Sequence, residues 1–232
     1  MPDLASLEFW AAVAQIIAID VVLSGDNAVV IALACRNLSA EQRRKGIFWG
    51  VAGAVSLRVV LTAFAALVMN LPWLKLAGGL LLLWIAIKLL LPEDEDGEDI
   101  APAAHLWGAV KTIIVADFVM SLDNVIGVAG AAHGSLILLV FGLVVSIPLI
   151  VWSSQMIMHA MERWPAIVLL GAGLLGFVAG EMMLTDGGIA AWLPELPAWT
   201  PKAAGVAGAA VVVVVGRWLE KRILAKRDVT IL

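Results

Sequence analysis

Charged residues, cysteine and tyrosine are scarce in this sequence, and the scarcity limits what the protein can be. Only 15% of the 232 residues are charged, whereas 62% are apolar. Soluble domains carry roughly a quarter charged residues and less than half apolar ones, so the composition predicts an integral membrane protein. The single cysteine, Cys35, excludes an internal disulfide and a cluster of thiolate ligands. Tyrosine is absent, and ten tryptophans, many near the ends of apolar stretches, fit anchoring at the membrane interface.

Several functional motifs are missing as well. The chain has no GxxxxGK[ST] pattern, so ATP-driven transport would need another subunit. The N-terminus MPDLASLEFW lacks a basic segment and a cleavage site, so we expect no cleavable signal peptide. The last apolar stretch has no lysine at its centre, and no nucleophile–base pattern accompanies the acidic residues. We therefore expect neither a retinal pigment nor an enzyme, and no prosthetic group.

Seven apolar stretches are long enough to cross a bilayer, which takes about 20 residues in a helix. They fall at about 9–35, 46–69, 73–91, 106–131, 135–158, 165–184 and 203–220. The sequence therefore predicts an all-α membrane protein with seven transmembrane helices. We treat residues 1–232 as a single membrane transport domain.

Basic residues between the stretches predict the orientation. They cluster in the first connection (RNLSAEQRRKG), the fifth connection and the C-terminal tail, whereas the second, fourth and sixth connections hold little beyond Lys75 and Lys202. Because cytoplasmic loops are rich in lysine and arginine, the N-terminus is predicted outside and the C-terminus in the cytoplasm. The acidic linker at about 92–105 is then cytoplasmic, either as a solvated connection or as a weak collector of cations.

One polar pattern occurs twice at a constant offset. IDVVLSGDNAVVIA (19–32) aligns with ADFVMSLDNVIGVA (116–129). The third stretches also align, with Pro72 opposite Pro165 and Lys88 opposite Glu181. The matching residues of the shared D-x3-S-x-D-N pattern are Asp20, Ser24, Asp26 and Asn27 in the first copy and Asp117, Ser121, Asp123 and Asn124 in the second.

The duplication predicts two inverted repeats. Each repeat holds three helices, at about 9–91 and 106–184, and a seventh helix at about 203–222 stands outside the duplication. An odd number of crossings turns the second copy upside down relative to the first. This is the plan of many secondary transporters, whose substrate site lies near the midplane between the repeats.

The repeated pattern places carboxylates inside apolar segments. An aspartate at the centre of a membrane helix costs about 2.5–3.5 kcal/mol, and four would cost on the order of 10 kcal/mol. A multivalent cation would offset that cost by supplying positive charge. Carboxylate, amide and hydroxyl oxygens without histidine or cysteine favour Mg²⁺, Ca²⁺ or Mn²⁺ over zinc or copper. The alternative is that these residues only hydrogen-bond between helices.

The two copies of the pattern are not identical. Gly25 favours a local opening of the first helix, and Leu122 replaces it in the second copy, so a strictly symmetric site is not predicted. Arg58 lies in VSLRVVL, whose counterpart reads VSIPLIV. It is either the counter-ion that keeps the aspartates ionised in the empty state or a structural partner elsewhere. Lys88 and Glu181 lie near stretch ends, where long side chains reach the interface; Glu181 is alternatively a carboxylate on an exit path.

Two segments resemble the TerC family of bacterial membrane proteins, in its short YjbE-like branch: DVVLSGDNAVVIALACRNL and ADFVMSLDNVIGVAGAAHG. That family is similar in plan to the lysine-exporter superfamily. The resemblance implies seven transmembrane helices in the bacterial plasma (inner) membrane and export of divalent metal, above all Mn²⁺, from the cytoplasm. The implied metal ligands are Asp20, Asp26, Asn27, Asp117, Asp123 and Asn124, with Ser24, Ser121, Arg58 and Glu181 as secondary candidates.

Two interpretations of function follow. The first is a secondary exporter that works by alternating access, with a divalent metal ion and the lipid bilayer as partners and no nucleic acid. The second is a membrane protein that binds metal without transporting it and assists a secretion or metallation complex. The donor atoms do not separate Mn²⁺ from Mg²⁺ or Ca²⁺. Proton antiport is a guess for the driving reaction, and the oligomeric state, a homodimer included, stays open.

Overall fold

The computed structural model describes residues 10–11, 13–17, 25–64, 71–92, 102–131, 136–193 and 196–230. Side chains at 102–104, 123–131, 136, 190 and 226–230 lie outside this description. Every regular element in the described ranges is an α-helix, which confirms the predicted all-α class. The helices are α1 (Gly25–Cys35), α2 (Ala40–Ala63), α3 (Leu74–Leu90), α4 (Pro102–Ala131), α5 (Leu136–Arg163), α6 (Ala166–Leu184), α7 (Gly187–Ala190) and α8 (Thr200–Thr230).

Five helical segments of the described chain are long and apolar enough to cross a membrane. They are Ala40–Ala63, His105–Leu122, Ile137–Arg163, Ala166–Leu184 and Thr200–Ala225. The remaining two predicted spans are represented by shorter helices, with 11 residues in α1 and 17 in α3. Residues 18–24 of the first predicted span lie outside the described part. Length and composition thus support five of the seven predicted spans.

The predicted connections are too long where helix ends are polar. The first connection was expected to run through RNLSAEQRRKG, but α2 already begins at Ala40. The hydroxyl oxygen of Ser39 caps this end by accepting a hydrogen bond from the backbone N–H of Gln42. Glu41 and Lys45 pair one turn apart at 2.7 Å. The prediction was wrong here because it read polar composition as a loop, although the same residues form a capped first turn.

The last helix, α8, also exceeds the predicted bounds of about 203–222. Helix α8 has 31 residues. At 1.5 Å per residue this gives about 46 Å, against a hydrocarbon core of about 30 Å. Its C-terminal end carries exposed basic side chains, and Arg222 lies 3.9 Å from the centre of the Trp218 ring. An arginine stacked on a tryptophan is a typical arrangement at a membrane interface.

The helices group into two compact units. One comprises Met1–Leu71 with Ala103–Ala160, and the other Pro72–Pro102 with Met161–Leu232. The division cuts across the two sequence repeats. The first unit takes the first two helices of each repeat, whereas the second unit takes the third helix of each repeat together with α8.

In the first unit, α2 packs alongside α4 through glycines. A Cβ atom at Gly46 would lie 3.3 Å from Leu106, and one at Gly50 would lie 2.7 Å from Ile113. The two helices therefore approach closely where α2 has no side chain. Both sets of contacts advance in the same sense along the chain, so α2 and α4 run parallel. This register brings the C-terminal half of α2 level with the middle of α4.

In the second unit, α6 packs against α3 and α8 and runs antiparallel to both. A Cβ atom at Gly79 of α3 would lie 2.8 Å from the carbonyl oxygen of Ala179, near the end of α6. Gly176 of α6 similarly meets the backbone of Gly208 on α8. Small residues at these crossings let the helix backbones touch, as in many membrane helix pairs. Helices α3 and α6, the third helices of the two repeats, are thus antiparallel.

Asp186 fastens the start of α3 from the far end of α6. The residue before α3, Trp73, has a left-handed backbone (φ 67°) and makes no side-chain cap. The buried carboxylate of Asp186 instead accepts hydrogen bonds from the backbone N–H groups of Trp73, Lys75 and Leu76, at 3.0, 3.0 and 3.2 Å. It also accepts one from Gly188 at 2.7 Å. One side chain thereby supplies the N-terminal cap of a distant helix.

We expect Asp186→Ala to lower the free energy of unfolding by about 1–3 kcal/mol, because it removes an acceptor for otherwise unpaired N–H groups. Asp186→Asn should cost less, since one oxygen remains. Thermal unfolding of the purified protein in detergent measures the difference. Glu41→Gln removes an exposed carboxylate and its surface pair with Lys45; it is the matched control and should lower the midpoint far less. Equal midpoints for Asp186→Ala and the control would contradict the capping role.

The same carboxylate predicts how stability depends on pH. Burial tends to raise the pKa of Asp186, but the backbone N–H donors outweigh it and hold the pKa below the ordinary value of 3.8. A group whose pKa is lowered by folding stabilises the folded state above its unfolded pKa. That contribution is lost as the pH falls through the folded value. The stability difference between wild type and Asp186→Ala should therefore be constant from neutral pH to about pH 5 and shrink only below about pH 4.

Candidate functional site

A cavity in the first unit joins residues from both copies of the repeated pattern. It contains about 350 Å³ of empty space, including its mouth. Its polar lining consists of Asn27 from α1, Arg58 from α2 and Asp117 from α4. The other walls are apolar, and they include Val30, Ile31, Val51, Ala54, Val55, Ile113 and Ile150. The cavity is therefore mainly apolar, and three polar side chains line part of its wall.

Arg58 and Asp117 form a buried ion pair at the cavity. The Nη2 of Arg58 donates to Oδ1 of Asp117 at 2.5 Å. The Nε of Arg58 donates to the hydroxyl of Ser121 at 3.2 Å, and that hydroxyl donates to Oδ2 of Asp117 at 3.2 Å. Asp117 and Ser121 are four residues apart on α4, so both side chains lie on one face of the helix. Three side chains thus close a ring of hydrogen bonds.

This ring is almost completely removed from solvent. Arg58 is 3% exposed, Asp117 6% and Ser121 0%. A buried ion pair gains little over apolar packing, but loss of one partner leaves an uncompensated charge at a cost of about 3–5 kcal/mol. The two charges consequently depend on each other, and any cation that enters the cavity meets a carboxylate that already has a positive partner.

Asn27 is buried without a partner. Its side chain is 4% exposed, and neither Nδ2 nor Oδ1 has a hydrogen-bond partner among the described residues. An unsatisfied buried amide costs about 1–3 kcal/mol, so such groups are rare unless they serve a ligand. Since Asn27 lines the cavity, its amide is available to a guest there.

Asp26 adds a second carboxylate near this cavity. Its Oδ1 accepts a hydrogen bond from the backbone N–H of Asn27 at 2.9 Å, in the first turn of α1. A carboxylate in this position is favoured by the positive end of the helix dipole. The half-buried side chain lies close enough to Arg58 and Asp117 to interact electrostatically with both. The site therefore combines two carboxylates, one amide and one guanidinium.

The structure brings together part of the predicted ligand set. Asn27 and Asp117 line one cavity in the first unit together with Arg58. Ser121 is hydrogen-bonded to Asp117, and Asp26 lies within electrostatic reach of Arg58 and Asp117. The other predicted residues of the two motifs fall outside the description: the whole of Asp20 and Ser24, and the side chains of Asp123 and Asn124. Among the residues that are described, no group of three or more His, Cys, Asp or Glu side chains could hold a metal ion. The complete ligand set stays a prediction.

Two other predicted residues lie in the second unit. Glu181 is half-buried on α6. Lys88 is exposed, and its Nζ lies 5.3 Å from the centre of the Trp84 ring, one turn earlier on α3. This contact fits the predicted placement of Lys88 at an interface.

Sequence reasoning missed the apolar walls of the cavity, although a signal for them exists. On α1 the lining residues Asn27, Val30 and Ile31 recur at spacings of three and four. On α4, Ile113 lies one turn before Asp117. Such spacing marks one face of a helix, so the wall follows from each polar residue once the helix is known.

Comparison with known proteins shows the family of this chain. The family model described as "Integral membrane protein TerC family" matches residues 5–224. The chain belongs to the TerC family of integral membrane proteins. The family predicted from the repeated motif is thus confirmed.

Three relatives show the range of similarity. The membrane protein YjbE of Bacillus subtilis is 47% identical over 171 residues, which cover 74% of this chain and 78% of the relative. YceF of the same organism is 23% identical, with 75% and 70% covered. The inner membrane protein YgdQ of Escherichia coli is 26% identical, with 75% and 81% covered. No solved structure matches the chain.

The unpartnered amide of Asn27 gives a test of the site. Asn27→Leu keeps the branched shape of the side chain and removes a buried polar group that has no partner among the described residues, so the unfolding midpoint in EDTA should stay equal or rise. Asn37→Leu, at an exposed asparagine outside the helices, is the control. Thermal unfolding in detergent measures both. A loss of more than about 1 kcal/mol in Asn27→Leu alone would mean that the amide stabilises the protein rather than serving a guest.

Proposed function

We propose that this TerC-family protein is a secondary transporter that exports divalent metal ions, above all Mn²⁺, from the cytoplasm. The observation that carries the proposal is the cavity lined by Asn27, Arg58 and Asp117, within an apolar helix bundle of an integral membrane protein. Ionisable residues inside membrane segments are costly and mark ion or substrate pathways. The oxygen donors present suit a hard divalent cation.

Helix directions support the proposed inverted repeats. Counted along the chain, seven alternating spans would make α3 and α6 antiparallel and α2 and α4 parallel. The glycine contacts within each unit have this polarity. The proposal accordingly includes seven transmembrane helices, an outside N-terminus and alternating access around a midplane site. It locates the protein in the bacterial plasma membrane and gives it no catalytic step.

The metal would be shared between the two motifs. Asn27 of the first motif and Asp117 of the second line one cavity, and Asp26 of the first motif lies within electrostatic reach of Asp117. Asp20, Asp123 and Asn124 complete the proposed ligand set by the symmetry of the sequence pattern. Carboxylates from antiparallel segments would then meet one divalent ion, which neutralises part of their charge.

A flux assay tests the proposal directly. The purified protein is placed in liposomes that contain a Mn²⁺-sensitive dye. Mn²⁺ added outside should enter these liposomes and quench the dye, whereas liposomes without the protein should keep their fluorescence. Because the Mn²⁺ concentration gradient drives this flux, no ATP should be needed. Binding of Mn²⁺ without flux would favour the alternative of a metal-binding partner in a larger complex.

Charge removal in the motifs gives a second test. We expect Asp26→Asn and Asp123→Asn each to lower Mn²⁺ flux by at least about tenfold, because each removes a proposed ligand. Cells that express the variants should lose protection against excess Mn²⁺ while the protein still reaches the membrane. Glu41→Gln removes an exposed carboxylate of the same unit and should transport normally. Full flux in both motif variants would remove these residues from the site.

A further inference from the structure

The guanidinium of Arg58 lies where a transported cation would have to bind. It contacts the carboxylate of Asp117 through Nη2 and the hydroxyl of Ser121 through Nε, and both belong to the second acidic motif. It also lines the cavity beside the unpartnered amide of Asn27. From this arrangement we infer that Arg58 is a tethered competitor of the metal: it holds the second motif in the empty state and leaves Asp117 when a divalent cation binds. This inference rests on the proposed function.

The argument begins with the number of positive charges that the cavity can hold. Asp117 is 6% exposed and Arg58 is 3% exposed, so their charges are poorly screened by water. A divalent ion bound at Asn27 and Asp117 would lie beside the guanidinium. Two cations close together in a weakly screened site repel each other strongly. Binding of the ion therefore weakens the Arg58–Asp117 contact, and this contact in turn weakens binding of the ion.

Release of Arg58 need not leave its charge without a partner. Asp26 carries the second described carboxylate of the site and interacts electrostatically with Arg58 as well as with Asp117. The guanidinium offers several N–H donors in a fixed fork, which suits a move from one carboxylate to another. The hydroxyl of Thr62 donates a hydrogen bond to the backbone carbonyl oxygen of Arg58 at 2.8 Å. We therefore expect the side chain of Arg58 to move while the helix backbone stays in place.

The competitor belongs to only one half of the molecule. Ser56 aligns with Ser146 between the second helices of the two repeats, which places Arg58 opposite Pro148. Pro148 lies inside α5 and carries no charge. The first motif therefore has no equivalent of Arg58 at the matching position. We accordingly assign ion entry to the first motif, where the amide of Asn27 is unpartnered, and exchange to the second.

The affinity for Mn²⁺ shows whether Arg58 competes with the metal or instead positions the side chains that bind it. Binding of Mn²⁺ to the purified protein is followed by loss of the electron paramagnetic resonance signal of free Mn²⁺. Arg58→Gln should bind Mn²⁺ about tenfold more tightly than wild type, since the competing charge is gone, a change within the usual range of coupling between two sites. In liposomes the same variant should show a lower KM and a lower kcat, because the bound ion is no longer displaced.

Arg58→Lys keeps the proposal testable if the glutamine variant does not fold. Lysine retains the charge but offers one nitrogen in place of the two through which Arg58 bonds to Ser121 and Asp117. It should hold the second motif less firmly, so Mn²⁺ affinity should rise in the order wild type, lysine, glutamine. Arg163→Gln, which removes an exposed arginine in the second unit, is the matched control and should leave affinity unchanged.

The outcomes separate this inference from the proposed function. Wild type that carries Mn²⁺, together with folded Arg58 variants that bind it no more tightly than wild type, would overturn the competitor role and leave the transport function intact. Failure of wild type to bind or carry Mn²⁺ would overturn both. Tighter binding with slower turnover in either variant would establish the exchange.

Discussion

The cost of burying charge among apolar helices is the constraint on which the first unit depends. Arg58 and Asp117 are each nearly inaccessible to solvent, and neither could remain ionised there alone. Their contact joins α2 to α4, and both side chains line the cavity. Ser121 bridges the two groups, because its hydroxyl accepts from Nε of Arg58 and donates to Oδ2 of Asp117. The same three side chains thus join the two helices and form part of the candidate site.

The second unit meets a different constraint, which is to satisfy backbone groups where helices begin and end. Asp186 supplies the acceptor that Trp73 does not provide at the start of α3. Within the helices, contact is made by backbone against backbone at residues such as Gly176 and Gly208. Polar chemistry is therefore confined to a helix end, and the described centre of this unit is packed by small and apolar side chains. The site of the first unit contrasts with this pattern, which strengthens its assignment to function.

Much of this organisation is predictable from sequence because it is local. Composition and run length indicate membrane helices, and the duplicated D-x3-S-x-D-N pattern indicates both the family and the site. The partner of Arg58 is not local: 59 residues separate it from Asp117, and the spacing along one helix does not say which helix lies beside it. Helix starts were misplaced for a related reason, since Ser39 and Glu41 read equally well as a loop until the cap is seen. The role of Asp186 is not visible in the sequence, because 113 residues separate it from Trp73, which directly precedes the helix that it caps.

That separation bears on how the chain is made. Helix α3 leaves the ribosome long before Asp186 exists, and its first turn has no acceptor of its own at Trp73. The second unit also needs α6 and α8 as packing partners, and both are synthesised later. The first repeat on its own therefore lacks what would hold its third helix in place. Assembly of the second unit must wait until α6 and α8 have been synthesised, although α3 is made well before them.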